Sequence, residues 1–319
     1  MNLHTNMKNK KVSIIIPCYN EAPSLPLLFT ELDKLSKACE QYDWEFVLIN
    51  DGSRDNTLSL LHAQREADDR YQVIDLSRNY GKEVALLAGF DYASGDCVAI
   101  MDADLQHPPM LIKDMLVQWE AGFDDVYAAR RSRGSESWLR KKMSMLYYRI
   151  LSHSTKEDVL PNVGDFRLLD RQCIEALKQL REQGRYTKGM YCYVGFRKTS
   201  VEFDTQDRAA GESSMTTAKL FALAMEGLMS YTIAPLRLAT WIGGIVSAIS
   251  FIYAIAILIK TLIWGDPVAG YPTMILVILF LGGVQLLGLG IIGEYIGRIY
   301  KETKNRPVYF IRTINGKKV

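Results

Sequence analysis

Two stretches near the carboxyl terminus constrain this chain more than any other feature. Residues 238–259 and 273–293 contain no Asp, Glu, Lys or Arg. Each reaches the length of about 20 residues that a helix needs to cross the hydrocarbon core of a bilayer. Core helices of soluble proteins seldom run so far without a polar face. The pattern predicts two transmembrane helices, at about 236–260 and 273–297. The mean hydropathy of −0.02 hides them because it averages over a chain whose apolar content is segregated.

Basic residues set the expected orientation. The connection Trp264–Pro272 carries Asp266 and no Lys or Arg, whereas Arg298, Lys301, Lys304, Arg306, Arg312, Lys317 and Lys318 follow the second stretch against one acid, Glu302. Positive flanks stay in the cytoplasm, so two crossings leave both termini there. The first residues, MNLHTNMKNKK, show no apolar signal region. Cys18, Cys39, Cys97, Cys173 and Cys192 are odd in number and never spaced CxxC, which predicts reduced thiols. A net charge of +2 argues against a dedicated nucleic-acid binder.

The rest of the chain alternates strand and helix. Val12–Ile16, Glu45–Asn50, Gln72–Leu76, Cys97–Met101 and Asp124–Ala129 read as five strands with a helix after each of the first four, an α/β arrangement that predicts a mostly parallel, doubly wound sheet. Ligands in such sheets bind at the carboxyl ends of the strands. The polar motifs fall there: Pro17-Cys18-Tyr19-Asn20-Glu21, Asn50-Asp51-Gly52-Ser53 and Asp102-Ala103-Asp104. Two carboxylates one residue apart beyond an apolar strand suit a hard divalent cation, Mg²⁺ or Mn²⁺, shared with phosphate and water. Asp102 and Asp104 are the predicted metal ligands, and His107 reads as a loop or helix-start residue. A GxGxxG match at 288–293 lies inside the second apolar stretch, without the strand and turn a dinucleotide site requires. Glycines there and nearby read as points of close helix approach.

The segments VSIIIPCYNE, NDGS, RNYGKEVALLAGFDYASGD and DADLQHPP resemble the family 2 glycosyltransferases with the glycosyltransferase A-type fold. NVGDFRLLDR, DRAAGESS and the run from YPTMILVILF to KETKNRP narrow the resemblance to the polyprenyl-phosphate glycosyltransferases. Among these the bactoprenol (undecaprenyl-phosphate) glucosyltransferases of O-antigen modification look closest, and dolichol-phosphate mannose synthases are also similar. By this resemblance Pro17, Tyr19, Glu21 and Asp51 hold the donor nucleoside, Asp102 and Asp104 the metal and diphosphate, and Gln106 lies near the sugar. Arg208 grips the diphosphate, and Asp165 faces the reaction centre beside Arg167. Ser214 stands where related sequences usually have Lys.

A lipid-phosphate acceptor is anionic near neutral pH, so Asp165 reads as a residue that orients it or stabilises charge rather than as an obligatory base. Seven basic residues between Arg130 and Arg149 face one acid, and apolar residues from Trp138 to Leu151 share a helical face. This suits a helix in the headgroup region or one packed on the sheet. Arg131 and Arg133, with Arg167, are the expected acceptor-phosphate ligands.

The expected organisation is a cytoplasmic catalytic domain at 1–215, an interfacial amphipathic helix at 216–234, two transmembrane helices within 235–298 and a basic cytoplasmic tail at 299–319. The expected activity is inverting, metal-dependent transfer of one hexose from UDP-glucose to undecaprenyl phosphate at the bacterial inner membrane, feeding O-antigen lipopolysaccharide or other envelope glycosylation. GDP-mannose, UDP-N-acetylglucosamine or a modified aminoarabinose donor remains open, as does a membrane scaffold or transporter subunit with an inactive domain. A processive synthase would usually carry QxxRW, which is absent. The expected assembly is a homo-oligomer, a tetramer being one form.

Overall fold

The computed structural model describes residues 10–130, 163–203, 234–264 and 270–319. The strands are β1 Lys11–Cys18, β2 Asp43–Asn50, β3 Tyr71–Leu76, β4 Cys97–Ile100, β5 Asp125–Arg130, β6 Val163–Asp170, β7 Lys198–Phe203, β8 Ile311–Ile314 and β9 Lys317–Lys318. The helices are α1 Leu25–Ala38, α2 Thr57–Ala67, α3 Lys82–Tyr92, α4 Leu111–Glu120, α5 Arg171–Gln179, α6 Thr187–Tyr193, α7 Ala234–Trp264 and α8 Tyr271–Thr303.

One sheet of nine strands runs in the order β7-β5-β6-β4-β1-β2-β3-β8-β9. Strands β1 to β4 are parallel, as their β-branched runs and intervening helices imply. The period-2 alternation of side chains divides each strand between two cores. Ile14, Ile16, Phe46 and Leu48 face α1 and α4, where Leu28, Leu32, Ile112 and Met115 are buried. Ile15, Val47 and Ile49 face α3, α5 and α6 through Leu86, Phe90, Ile174, Leu177 and Tyr191. Five free cysteines agree with the expectation of thiols.

Three features lie beyond the five-strand reading. β6 inserts antiparallel between β4 and β5, and β7 pairs parallel with β5. The expected tail also departs from the prediction: α8 continues to Thr303, and β8 folds back antiparallel onto β3 with β9 as its hairpin partner. Asn315 and Gly316, at φ 50° and 77°, form the tight connection, a conformation that an Asn-Gly pair accepts readily. One folded unit therefore takes in Pro307–Val319 as well as the residues up to Thr216, and Thr217–Arg306 form a second.

In the second unit α7 has 31 residues and α8 has 33. Phe280–Thr303 of α8 is long and apolar enough to cross a membrane, and α7 contributes the shorter apolar stretch Ala239–Tyr253. Large apolar side chains project outward along both, among them Trp241, Ile249, Phe251, Ile278, Leu286 and Ile292. Among the described residues the glycines expected to draw helices together meet no neighbour: a Cβ at Gly282, Gly283, Gly290, Gly293 or Gly297 would meet nothing within 4 Å. The interfacial helix expected at 216–234 lies, but for its last residue, outside the described residues, as does the basic segment 131–151.

Candidate active site

The carboxyl ends of the parallel strands are level, with Cys18 paired to Asn50 and Asn50 to Asp75. The loops that leave β1 and β2 are stitched together. Ser53 Oγ accepts from Asn20 N at 3.1 Å, Asn20 Oδ1 from Arg54 N at 2.8 Å and Thr57 Oγ1 from Glu21 N at 2.9 Å. Gly52 is required where these loops meet the one after β3: its φ is 66°, and a Cβ there would lie 2.5 Å from Asn79 N.

The antiparallel register of β6 completes the crevice. Ile100 pairs with Arg167, so extending the register by two residues sets Asp102 level with Asp165. Between them stands Lys82, the first residue of α3, with Nζ 2.5 Å from Asp102 Oδ1 and 3.1 Å from Asp165 Oδ2. Burial alone would lower the lysine's pKa, but the two carboxylates outweigh it and raise it well above the usual value. Burial would raise Asp165, yet Lys82, Lys188 and Arg167 hold it below the ordinary carboxylate range. Asp165 is thus an ionised carboxylate facing the crevice. Lys82 is a crevice residue that motif reading missed. Its signal was position: a lysine directly after the glycine that opens a helix beside a strand end.

The DxD segment has its own constraints. Asp104 accepts from Gln106 N at 3.2 Å and from Gln106 Nε2. Between them Leu105 takes φ 55°, a left-handed backbone costing a branched side chain about 1 kcal/mol or more. Glu21 completes an acidic wall: burial first, then repulsion from Asp104, Asp102 and Asp55, raises its carboxyl, against the 2.6 Å hydrogen bond from Ser24 Oγ. Carboxylates that repel one another at the mouth of a crevice fit a hard divalent cation with oxygen ligands. Asp165 Oδ1 is buried without a hydrogen-bond donor among the described residues. Among the described residues no group of three or more His, Cys, Asp or Glu side chains is placed to hold a metal ion. The DxD pair suits a metal that keeps open positions for phosphate and water.

The other predicted residues sort differently. Tyr19 is 43% exposed at the β1 end, available to a ligand, and Pro17 is half-buried behind it. Asp51 is buried at 3%, with Oδ1 accepting from Tyr80 N at 2.7 Å and Oδ2 from Gly81 N at 2.8 Å. It reaches the crevice through the loop it holds. Arg167 is corrected. Expected at the acceptor phosphate, it is 5% exposed, pairs with Asp125 Oδ2 at 2.8 Å and lies 3.7 Å over the Tyr191 ring. A side chain at an even step from Asp165 on β6 shares its face, but here that face turns into the core two residues further on. His107, expected in a loop or at a helix start, packs against Phe166 and Phe203 with centroids at 5.0 and 5.2 Å. Arg131, Arg133, Arg208 and Ser214 lie outside the described residues.

Glu83, beside Lys82, is a half-buried carboxyl. It accepts from Thr187 N at 2.8 Å and from Thr187 Oγ1, and burial with repulsion from Asp165 raises its pKa to about 7.

Comparison with known proteins bears on both units. Residues 13–178 match glycosyl transferase family 2, and residues 234–299 match the GtrB C-terminal hairpin. The SfII prophage-derived bactoprenol glucosyl transferase of Shigella flexneri is 42% identical over 302 residues, which are 95% of this chain and 97% of that protein. A putative glycosyltransferase of Bacillus subtilis, CsbB, is 45% identical over 97% of this chain and 93% of its own length. A prophage bactoprenol glucosyl transferase homolog of Escherichia coli K12 is 38% identical over 95% and 99%.

Proposed function

The chain belongs to glycosyl transferase family 2, and from that premise we propose that it transfers a single hexose, glucose from UDP-glucose, onto undecaprenyl phosphate at the cytoplasmic face of the bacterial inner membrane. The observation that carries this reading is the length of the similarity to bactoprenol glucosyl transferases, which runs through the catalytic sheet and the helical hairpin alike.

The crevice has chemistry to match. Asp102 and Asp104 would hold Mg²⁺ or Mn²⁺, which neutralises charge on the departing diphosphate. Tyr19 and Glu21 border the end where the nucleoside would lie, and Gln106, fixed on Asp104, faces the sugar. An acceptor phosphate is already anionic, so transfer with inversion needs no proton removed. Asp165, kept ionised by Lys82, Lys188 and Arg167, stabilises positive charge as it develops at the anomeric carbon. Lys82 supplies a cation within the same crevice, placed to follow phosphate charge as the glycosidic bond breaks. Arg208 is assigned to the donor diphosphate, and Arg131 and Arg133 to the acceptor phosphate.

Topology supports two membrane spans. β7 precedes the hairpin and β8 follows it, and both belong to one sheet. A crossing by Phe280–Thr303 would then return through a second span, for which α7 is the candidate among the described residues. The basic residues after α8 favour the cytoplasm for that sheet. The hairpin's outward glycines are consistent with a homo-oligomer, and the product lipid would supply O-antigen or other envelope glycosylation.

A donor screen tests the proposal. Purified chain, undecaprenyl phosphate and Mg²⁺ or Mn²⁺ are combined with UDP-glucose, UDP-galactose, UDP-N-acetylglucosamine or GDP-mannose, and sugar entering the lipid phase is followed. Transfer from UDP-glucose that stops with a chelator is the expected outcome. Transfer from a different donor alone would overturn the choice of glucose, and nucleotide binding without any transfer would overturn the acceptor.

A further inference from the structure

The segment after the last long helix does more than cap an edge strand. β8 pairs with β3 as Asp75–Thr313 and then Leu76–Ile311, so Arg312 is an extra residue, bulged out of the ladder. A bulge re-aims the side chain it carries. Arg312 Nη2 donates to Ser77 O at 2.7 Å, and Ser77 N donates to Phe310 O at 2.9 Å, so both backbone groups of Ser77 are held by the C-terminal segment. Ser77 opens the short loop that ends at Lys82. Its Oγ lies 2.9 Å from Tyr80 Oη, and the amides of Tyr80 and Gly81, three and four residues on, are fixed on Asp51. The far end of α3 is held from the same segment: Tyr309 Oη donates to Asp91 Oδ2 at 2.5 Å, where Arg181 also makes a two-pronged pair at 2.7 Å.

We propose that residues 309–312 form a clamp on the far end of α3 and on the start of the loop that leads into it, positioning Lys82 between Asp102 and Asp165, with Arg312 and Tyr309 as positioning residues for sugar transfer. The inference rests on the reading of this crevice as the transfer site. It gives the last residues of the chain, which emerge from the membrane hairpin, a direct hold on the reacting end of the sheet. Backbone hydrogen bonds of a strand added at an edge supply the affinity, and the bulged arginine supplies the aim.

The test uses the chain with Tyr309→Phe and Arg312→Ala combined and with Arg312→Lys alone, read by amide hydrogen exchange and by transfer kinetics. In the double variant, exchange at Tyr80 and Gly81 rises about tenfold or more while β1 and β2 amides keep their protection. With UDP-glucose and undecaprenyl phosphate, kcat falls while KM for the donor stays within about twofold, since only the transfer geometry is loosened. Arg312→Lys, retaining a donor for Ser77 O, keeps part of both. Unchanged exchange at Tyr80 and Gly81 would overturn the clamp. So would an equal rise across β1, β2 and β3, which marks a cover of the sheet edge and nothing more. The exchange readout needs no turnover, so the clamp is decided even where no donor is used.

Discussion

Lys82 Nζ and Asp165 Oδ2 stand 3.1 Å apart, one at the start of α3 and the other on a strand inserted antiparallel into the sheet. The pair is half of a bridge whose other end is Asp102. Replacing Lys82 by Met removes that cation and leaves two carboxylates facing each other. Transfer should fall about 10²-fold in kcat, the scale found when a preorganised charge partner is removed from an active site. Asp165, no longer held down by Lys82, should titrate higher, moving the acid limb of the pH–rate profile upward. A Met variant with parental kcat and pH profile would remove Lys82 from the chemistry.

Asp104→Asn should abolish transfer and weaken Mn²⁺ binding, measured by titration of the donor-free protein, without lowering thermal stability. The side chain's internal partner is Gln106, which an amide can still engage. Full activity with Mg²⁺ would sink the assignment of this carboxylate to the metal.

Glu83 makes stability depend on pH. Its folded pKa of about 7 lies above the ordinary carboxylate value, so its contribution is fully present below the unfolded pKa and is lost as pH rises through about 7. Between pH 4.5 and 8 the cost approaches ~3 kcal/mol, taking 1.36 kcal/mol per pKa unit. Glu83→Gln should flatten this slope in thermal unfolding of the solubilised protein. An unchanged slope would place the titration elsewhere.

Breaking the Arg167–Asp125 pair should damage folding. Each is almost fully buried, and burial raises Asp125 despite Arg167 beside it. Arg167→Met leaves a carboxylate in the core and should destabilise by about 3–5 kcal/mol. Adding Asp125→Asn should recover much of this, which a double-mutant cycle reads directly. An Arg167→Met protein of parental stability and weakened acceptor binding would restore the phosphate role assigned from sequence.

The first four strands and their helices were legible because β-branched runs ending in Pro17, Asp51 or Asp102 carry their own stop signals. The acidic motifs were legible for the same reason, being strand ends. β6 was read as a motif and not as a strand, since nothing in VGDFRLLD says which neighbour it pairs with. The Asn315-Gly316 turn was a readable hairpin signal, lost among the basic residues counted as a tail. Arg167 looked like a site residue because it sits two places from Asp165, and only burial separates them.

The sequence alone determined the family, the parallel half of the sheet, the acidic crevice and the apolar hairpin, because each is written in residues close together in the chain. The tertiary structure decided which polar groups meet. Lys82 with Asp102 and Asp165, Arg167 with Asp125, and Arg312 with Ser77 are pairs set by strand order and register. Those depend on which edges find each other when the cores close, a long-range outcome that spacing along the chain does not encode.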